Sequence, residues 1–236
     1  MNSGKATARF AGLLWLLSAV TGGLGLFYIR SYVIVPGDAV ATAANLADSE
    51  FLFRAAVVSI LFSQIFLFFL GLVLFHLFEA VNNGLARVLL ASVMIAVGIA
   101  VVNTLNHFGA LLVLSQADYL NVFSAEQLDA LALNFLRLAN SFGQGLLETF
   151  WAPYYFSIGV LVIKSRFLPG VLGILLMIMG AGFAINVLEK FLLPQFYPEL
   201  FTQLAMLGGA LGGIPPIIWL LIKGVNHHSF NYQASA

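Results

Sequence analysis

Apolar residues run along this chain in six long blocks, at 10–29, 55–77, 87–114, 138–163, 168–188 and 200–222. Each is long enough to cross a bilayer as an α-helix, which takes roughly 20 residues. All six must be helical, because an open strand would leave backbone N–H and C=O groups unpaired in lipid. The pattern therefore predicts an all-α fold: a polytopic membrane helix bundle of six transmembrane helices, with residues 1–236 as a single transmembrane domain. The first block follows Lys5 and Arg9, as a signal peptide would. Its apolar run exceeds the 7–15 residues typical of a signal h-region, so a retained helix is expected.

The outer connections carry short amphipathic helices of their own. Pro36-Gly37-Asp38 reads as a turn, with Asp38 capping a helix that runs through Asn45. Ser124-Ala-Glu-Gln127 has the spacing of a capping box. It opens a helix in which Leu128, Leu131 and Phe135 recur at helical intervals, and which can continue into the fourth span. Such elements lie on the membrane surface or cap the bundle, and a partner-binding role is the alternative. Pro169 suits a helix start, Pro215-Pro216 should kink the sixth span, and Gly208-Gly209 with Gly212-Gly213 favours close helix packing.

Composition agrees with the pattern. The chain is 61% hydrophobic and 8% charged, with a mean hydropathy of +0.99; soluble domains carry about 25% charged residues. Ten basic residues balance ten acidic ones. That leaves no basic footprint for nucleic acid and no polybasic patch for anionic lipid. The absence of cysteine excludes disulfides, thiolate catalysis and cysteine-held metal. With both termini inside, Lys5, Arg9, Arg87, Lys164, Arg166 and Lys223 face the cytoplasm, against Arg30, Arg54, Arg137 and Lys190 outside. This excess predicts an N-in, C-in orientation. No motif calls for a cofactor, and the oligomeric state is left open.

Several strings together resemble a bacterial membrane family, the domain-of-unknown-function family 4386. They are Arg9-Phe-Ala-Gly-Leu-Leu14, Val35-Pro-Gly-Asp38 leading to Thr42-Ala-Ala-Asn45, Ser49-Glu50 with Phe53-Arg54, and Phe167-Leu-Pro-Gly-Val-Leu-Gly173. Gly170 stands where the family often has a basic residue. The resemblance implies a six-helix bundle in a bacterial inner membrane and carries no assigned activity. Function must be sought in the residues.

Ionisable and amide groups deep in a membrane helix are costly, at roughly 2.5–3.5 kcal/mol for a charge on insertion scales, so they face the bundle interior or a wet cavity. On a regular helix Arg137, Asn140, Ser141, Gln144 and Glu148 form one stripe, and Asn103, Asn106 and His107 form another. At about 1.5 Å of rise per residue, Gln144 and His107 both lie about 10 Å below the outer surface, and Glu148 and Asn103 about 16 Å. Ser18, Thr21, Ser59, Ser63, Gln64 and Asn186 share that outer half. The amides taken singly read as interhelical packing groups. Glu148 must be protonated and hydrogen-bonded or else paired, with His107, Arg137 or a water as candidate partners. Trp151 lies too deep for an interface anchor and is a candidate to line the same cavity.

Three functions fit this belt. One is binding or transport of a lipid-like or small amphipathic molecule, oriented by Asn103, Asn106, His107, Asn140, Gln144, Glu148 and Trp151. The second is a membrane-embedded enzyme with Glu148 as general acid or base, assisted by His107. The third is a structural or accessory subunit whose polar belt only joins helices. No metal site is expected: His76 and Glu79, an i, i+3 pair at a cytoplasmic helix end, fall short of the three or four ligands zinc requires. His227-His228 lies in a polar tail.

Overall fold

Local side chains explain where most of the helices begin. The computed structural model describes residues 3–115, 117–192 and 212–225, and among them there is no strand. The helices are α1 (Ser3–Tyr28), α2 (Ala39–Asp48), α3 (Glu50–Phe78), α4 (Asn83–Val113), α5 (Ala125–Arg137), α6 (Gln144–Ser165) and α7 (Gly170–Leu192), followed by α8 (Gly212–Ile222). Asp38 caps α2, its carboxylate accepting from the Ala41 N–H at 2.9 Å. Asn82 caps α4, accepting from Leu85 at 2.9 Å. Ser124 and Gln127 complete the expected capping box of α5. α3 starts ahead of its apolar block because Glu50 and Arg54 pair across one turn at 2.7 Å. Pro169 precedes α7, and its carbonyl accepts from Leu172.

Among the described residues five helical stretches are long and apolar enough to cross a membrane: Gly4–Val33, Glu50–Phe78, Asn83–Val113, Ala125–Ser165 and Gly170–Leu192. Large apolar side chains such as Phe62, Phe69, Val102, Leu105, Ile174 and Ile178 stand exposed along them. A belt of that kind is stable against lipid tails and not against water. This is a multi-pass integral membrane protein. Of the expected sixth span only α8 is described; residues 200–211, Gly208-Gly209, Glu199 and His227-His228 lie outside the described residues.

Among the described residues two stretches are π-helical. Ile29–Val33 ends α1 in a π-turn, and Leu138–Gly143 is a π-turn that joins α5 to α6 in one continuous helix. α5 does run on into the fourth span, as its pattern predicts. The π-turn, however, takes up an extra residue and offsets the faces on its two sides by about 100°. The single stripe from Arg137 to Glu148 assumes regular α geometry, and the real helix breaks it. In α5 the best-buried positions are Ala132 and Leu136, while Leu128, Leu131 and Phe135 are half-buried.

By its contacts the chain divides into two compact units. The first comprises residues 1–17, 66–98 and 145–236. Its core holds Leu70, Leu74, Leu89, Tyr154, Leu161 and Leu176. Here α6 and α7 meet backbone to backbone: a Cβ on Gly159 would come within 2.6 Å of the Gly173 carbonyl oxygen, and one on Gly180 within 2.9 Å of that of Ala152. Close approach at glycines thus also joins α6 and α7. Gly212 also abuts Met179 and the Leu175 carbonyl. Between α6 and α7, Arg166 holds a left-handed φ of 56°, a conformation that costs a non-glycine residue roughly 1–2 kcal/mol. Arg166→Gly is expected to stabilise the protein by roughly 0.5–1 kcal/mol, since glycine's larger loss of freedom on folding offsets part of the relief. Thermal unfolding in detergent measures it; an unchanged or lower midpoint refutes it.

The second unit comprises residues 18–65 and 99–144. Its core is Ile29, Val33, Leu46, Phe53, Val57 and Leu136 with close neighbours. α2 packs on α5 and on the first π-turn, tied there by Asn45, which donates to the Val33 carbonyl at 3.3 Å. Gly109 on α4 lies against the Phe135 ring.

Candidate functional site

The polar groups of the second unit gather around the two π-turns. A π-turn leaves backbone carbonyls outside the regular i→i+4 ladder, and π-turns recur at functional sites. Asn103 donates to the Ala139 carbonyl at 2.9 Å, and Asn106 donates to the Asn103 side-chain oxygen at 3.0 Å. Asn140 donates to the Leu136 carbonyl at 2.9 Å. Arg30, on the first π-turn, reaches the second: its Nε donates to Asn140 Oδ1 at 3.2 Å and its Nη2 to the Asn140 carbonyl at 3.4 Å. Gly143 is required here, because a Cβ would overlap the Asn103 carboxamide.

His107 lies one turn beyond Asn103 on α4 and is 2% exposed. Neither ring nitrogen has a hydrogen-bond partner among the described residues. Its ring packs beside Phe53, with centroids 6.1 Å apart. An imidazole carries a donor and an acceptor, and burying a polar group unpaired costs roughly 1–3 kcal/mol. Gln64, also buried, leaves its Oε1 unpaired, but its amide nitrogen donates to Ser63 at 2.8 Å. His107 has no such compensation.

In the first unit, Glu148 on α6 meets Lys190 on α7 at 2.7 Å, with side chains 13% and 16% exposed. The partner is thus Lys190, where His107, Arg137 or a water was expected. α7 continues past its predicted end at 188 and carries Lys190 down beside Glu148. Gly145 leaves room for the lysine stem, whose Cδ lies 3.3 Å from where a Cβ would stand. Trp151, one turn further along α6, packs its ring against Tyr154 and Tyr155 at 5.3 and 5.6 Å. The Tyr154 hydroxyl is buried without a hydrogen-bond partner among the described residues. A void of about 10 Å³ between Trp15, Leu74, Ile158, Leu176, Pro216 and Leu220 has a wholly apolar lining. At that size and polarity it holds no ordered water.

The structure thus brings Asn103, Asn106, His107 and Asn140 into the second unit, and Glu148 and Trp151 into the first. Gln144 is the half-buried first residue of α6. His76 and Glu79 pair at 2.9 Å on an exposed helix end, and no group of three or more potential ligands for a metal ion occurs among the described residues. Arg30 and Lys190 were missed by sequence reasoning. Both sit at the ends of apolar blocks, where a basic residue reads as an ordinary membrane boundary. The available signal was the need of Glu148 for a cation at its own depth.

The strings that carry the family resemblance prove to be structural. Arg9 donates to the Ile222 carbonyl at the end of α8, and Gly12 lets α8 approach through Leu220 and Leu221. Gly37 supplies a positive φ of 81° before the Asp38 cap. Phe167 stacks on Phe78 with ring centroids 5.9 Å apart. No curated protein and no solved structure matches the chain. A family model described as Domain of unknown function (DUF4386) matches residues 10–224. With nearly its whole length so matched, and with its matching strings at the caps and close contacts that hold the fold, the chain belongs to the DUF4386 family.

Proposed function

We propose that this chain is a six-span protein of the bacterial inner membrane, with both termini in the cytoplasm. In this reading it binds or carries a lipid-like or small amphipathic molecule in a polar belt in the outer half of the bilayer. The observation that carries the reading is His107, buried with both ring nitrogens unpaired among the described residues. Asn103 donates to the Ala139 carbonyl of the facing helix and Asn140 to the Leu136 carbonyl of its own, while the buried imidazole has both ring nitrogens without a partner among the described residues. A polar headgroup reaching His107 would satisfy it while the tail stays in the apolar belt. The enzyme reading asks Glu148 to move protons, and the Lys190 pairing makes that harder.

The test compares lipids and small molecules that travel with the full chain and with His107→Ala and His107→Gln, identified by mass spectrometry after purification. Loss of one specific species from folded His107→Ala, with partial return in His107→Gln, is expected. A folded His107→Ala with an unchanged complement would sink the reading. A variant that fails to fold in both forms would favour a purely structural belt.

A further inference from the structure

We infer that the molecule held at His107 carries an anionic oxygen group, a phosphate or a carboxylate, and that Arg30 receives it; this rests on the binding reading above. Arg30 is oriented by the protein before any ligand arrives. Asn140 accepts from its Nε and its Nη2, so the guanidinium is fixed at two points on the second π-turn. Both acceptors are neutral. The ion pairs among the described residues are Arg54–Glu50, His76–Glu79 and Lys190–Glu148, and Arg30 belongs to none of them.

A guanidinium has five N–H donors in a planar fork, and the two bonds to Asn140 leave three of those of Arg30 without a partner among the described residues. That fork matches the oxygens of a carboxylate or phosphate, with charge-assisted bonds about twice as strong as neutral ones. Arg30 is exposed while His107 is buried, and a chain of contacts joins their surroundings: Arg30 holds Asn140, the adjoining Ala139 carbonyl accepts from Asn103, and His107 lies one turn beyond Asn103 on α4. An anionic headgroup on Arg30 could extend a further oxygen to the His107 N–H. Arg137, three residues before Asn140 at the end of α5, has no comparable clamp on an amide side chain among the described residues, so position alone does not explain the arrangement.

The test uses the full chain in a neutral maltoside detergent, with four probes: dioleoylphosphatidylglycerol, oleate, dioleoylglycerol as a neutral amphiphile with the same tails, and inorganic phosphate. Native mass spectrometry reads occupancy, and the thermal unfolding midpoint reads stabilisation. The expected result is about tenfold preference for the two anionic amphiphiles over dioleoylglycerol, removed by Arg30→Gln, partly kept by Arg30→Lys and unaffected by Arg137→Gln. Equal binding of dioleoylglycerol, or a preference that survives Arg30→Gln, would overturn the anion and leave the binding reading standing. Stabilisation by inorganic phosphate alone, lost in Arg30→Gln, keeps the anion site and makes its source a free anion, against the amphiphile. No binding of any probe sinks both. Should Arg30→Gln fail to fold, salt decides: a preference that raised ionic strength does not weaken overturns the proposal.

Discussion

Lys190→Met is expected to destabilise the protein by about 3–5 kcal/mol, the usual cost of removing one partner from a buried ion pair. An exposed pair would cost only about 0–1 kcal/mol, so the size of the loss distinguishes the two settings. The buried value applies because both side chains are less than one-fifth exposed and lie between two membrane helices. Methionine matches the lysine stem in bulk and leaves the Glu148 carboxylate without its counter-charge. Glu148→Gln with Lys190→Met removes both charges, and is expected to recover most of the loss, since apolar or neutral replacements of a buried pair are often close to neutral. Unfolding midpoints of the two single variants and the double variant in lipid bicelles complete the cycle. A loss below about 1 kcal/mol in Lys190→Met would mean that the pair is not formed in the membrane. Additive single and double effects would mean the same.

Gly143→Ala should act on the other unit, with a cost of roughly 2–4 kcal/mol. A methyl at this point would overlap the Asn103 carboxamide, which must swing away. It then gives up its bond to the Ala139 carbonyl and the one it accepts from Asn106. Interhelical bonds of this kind are worth roughly 0.6 kcal/mol each in a membrane, and overpacking adds about 1–3 kcal/mol. Asn103→Ala in the Gly143→Ala background separates the terms: removing the obstructing amide should return the overpacking part but not the hydrogen bonds. A Gly143→Ala protein with wild-type stability would show that the second π-turn does not approach α4 as closely as described.

The two substitutions probe features of different legibility. Gly143 looks like any other glycine in a membrane segment, and the contact that makes it necessary comes from a residue 40 positions earlier on another helix. Glu148 was conspicuous as a carboxyl inside an apolar block, yet its partner was sought among His107 and Arg137. Lys190 was counted as a residue of the rim because it lies beyond the apolar run ending at 188. A helix does not stop where its apolar run stops, and α7 continues to Leu192.

What the sequence determined by itself are the features set within a few residues. Apolar run length places the membrane helices. Asp38 and the Ser124–Gln127 box place two helix starts, because a cap bonds to backbone only two or three residues away. The tertiary structure alone decided which polar groups meet: Glu148 with Lys190, Arg30 with Asn140, Asn103 with the Ala139 carbonyl, and His107 with none among the described residues. Those pairings depend on how each helix is rotated about its axis. Two π-turns change that rotation by an amount that no 3.6-residue periodicity contains, and so the partners of the polar residues could not be read from the sequence.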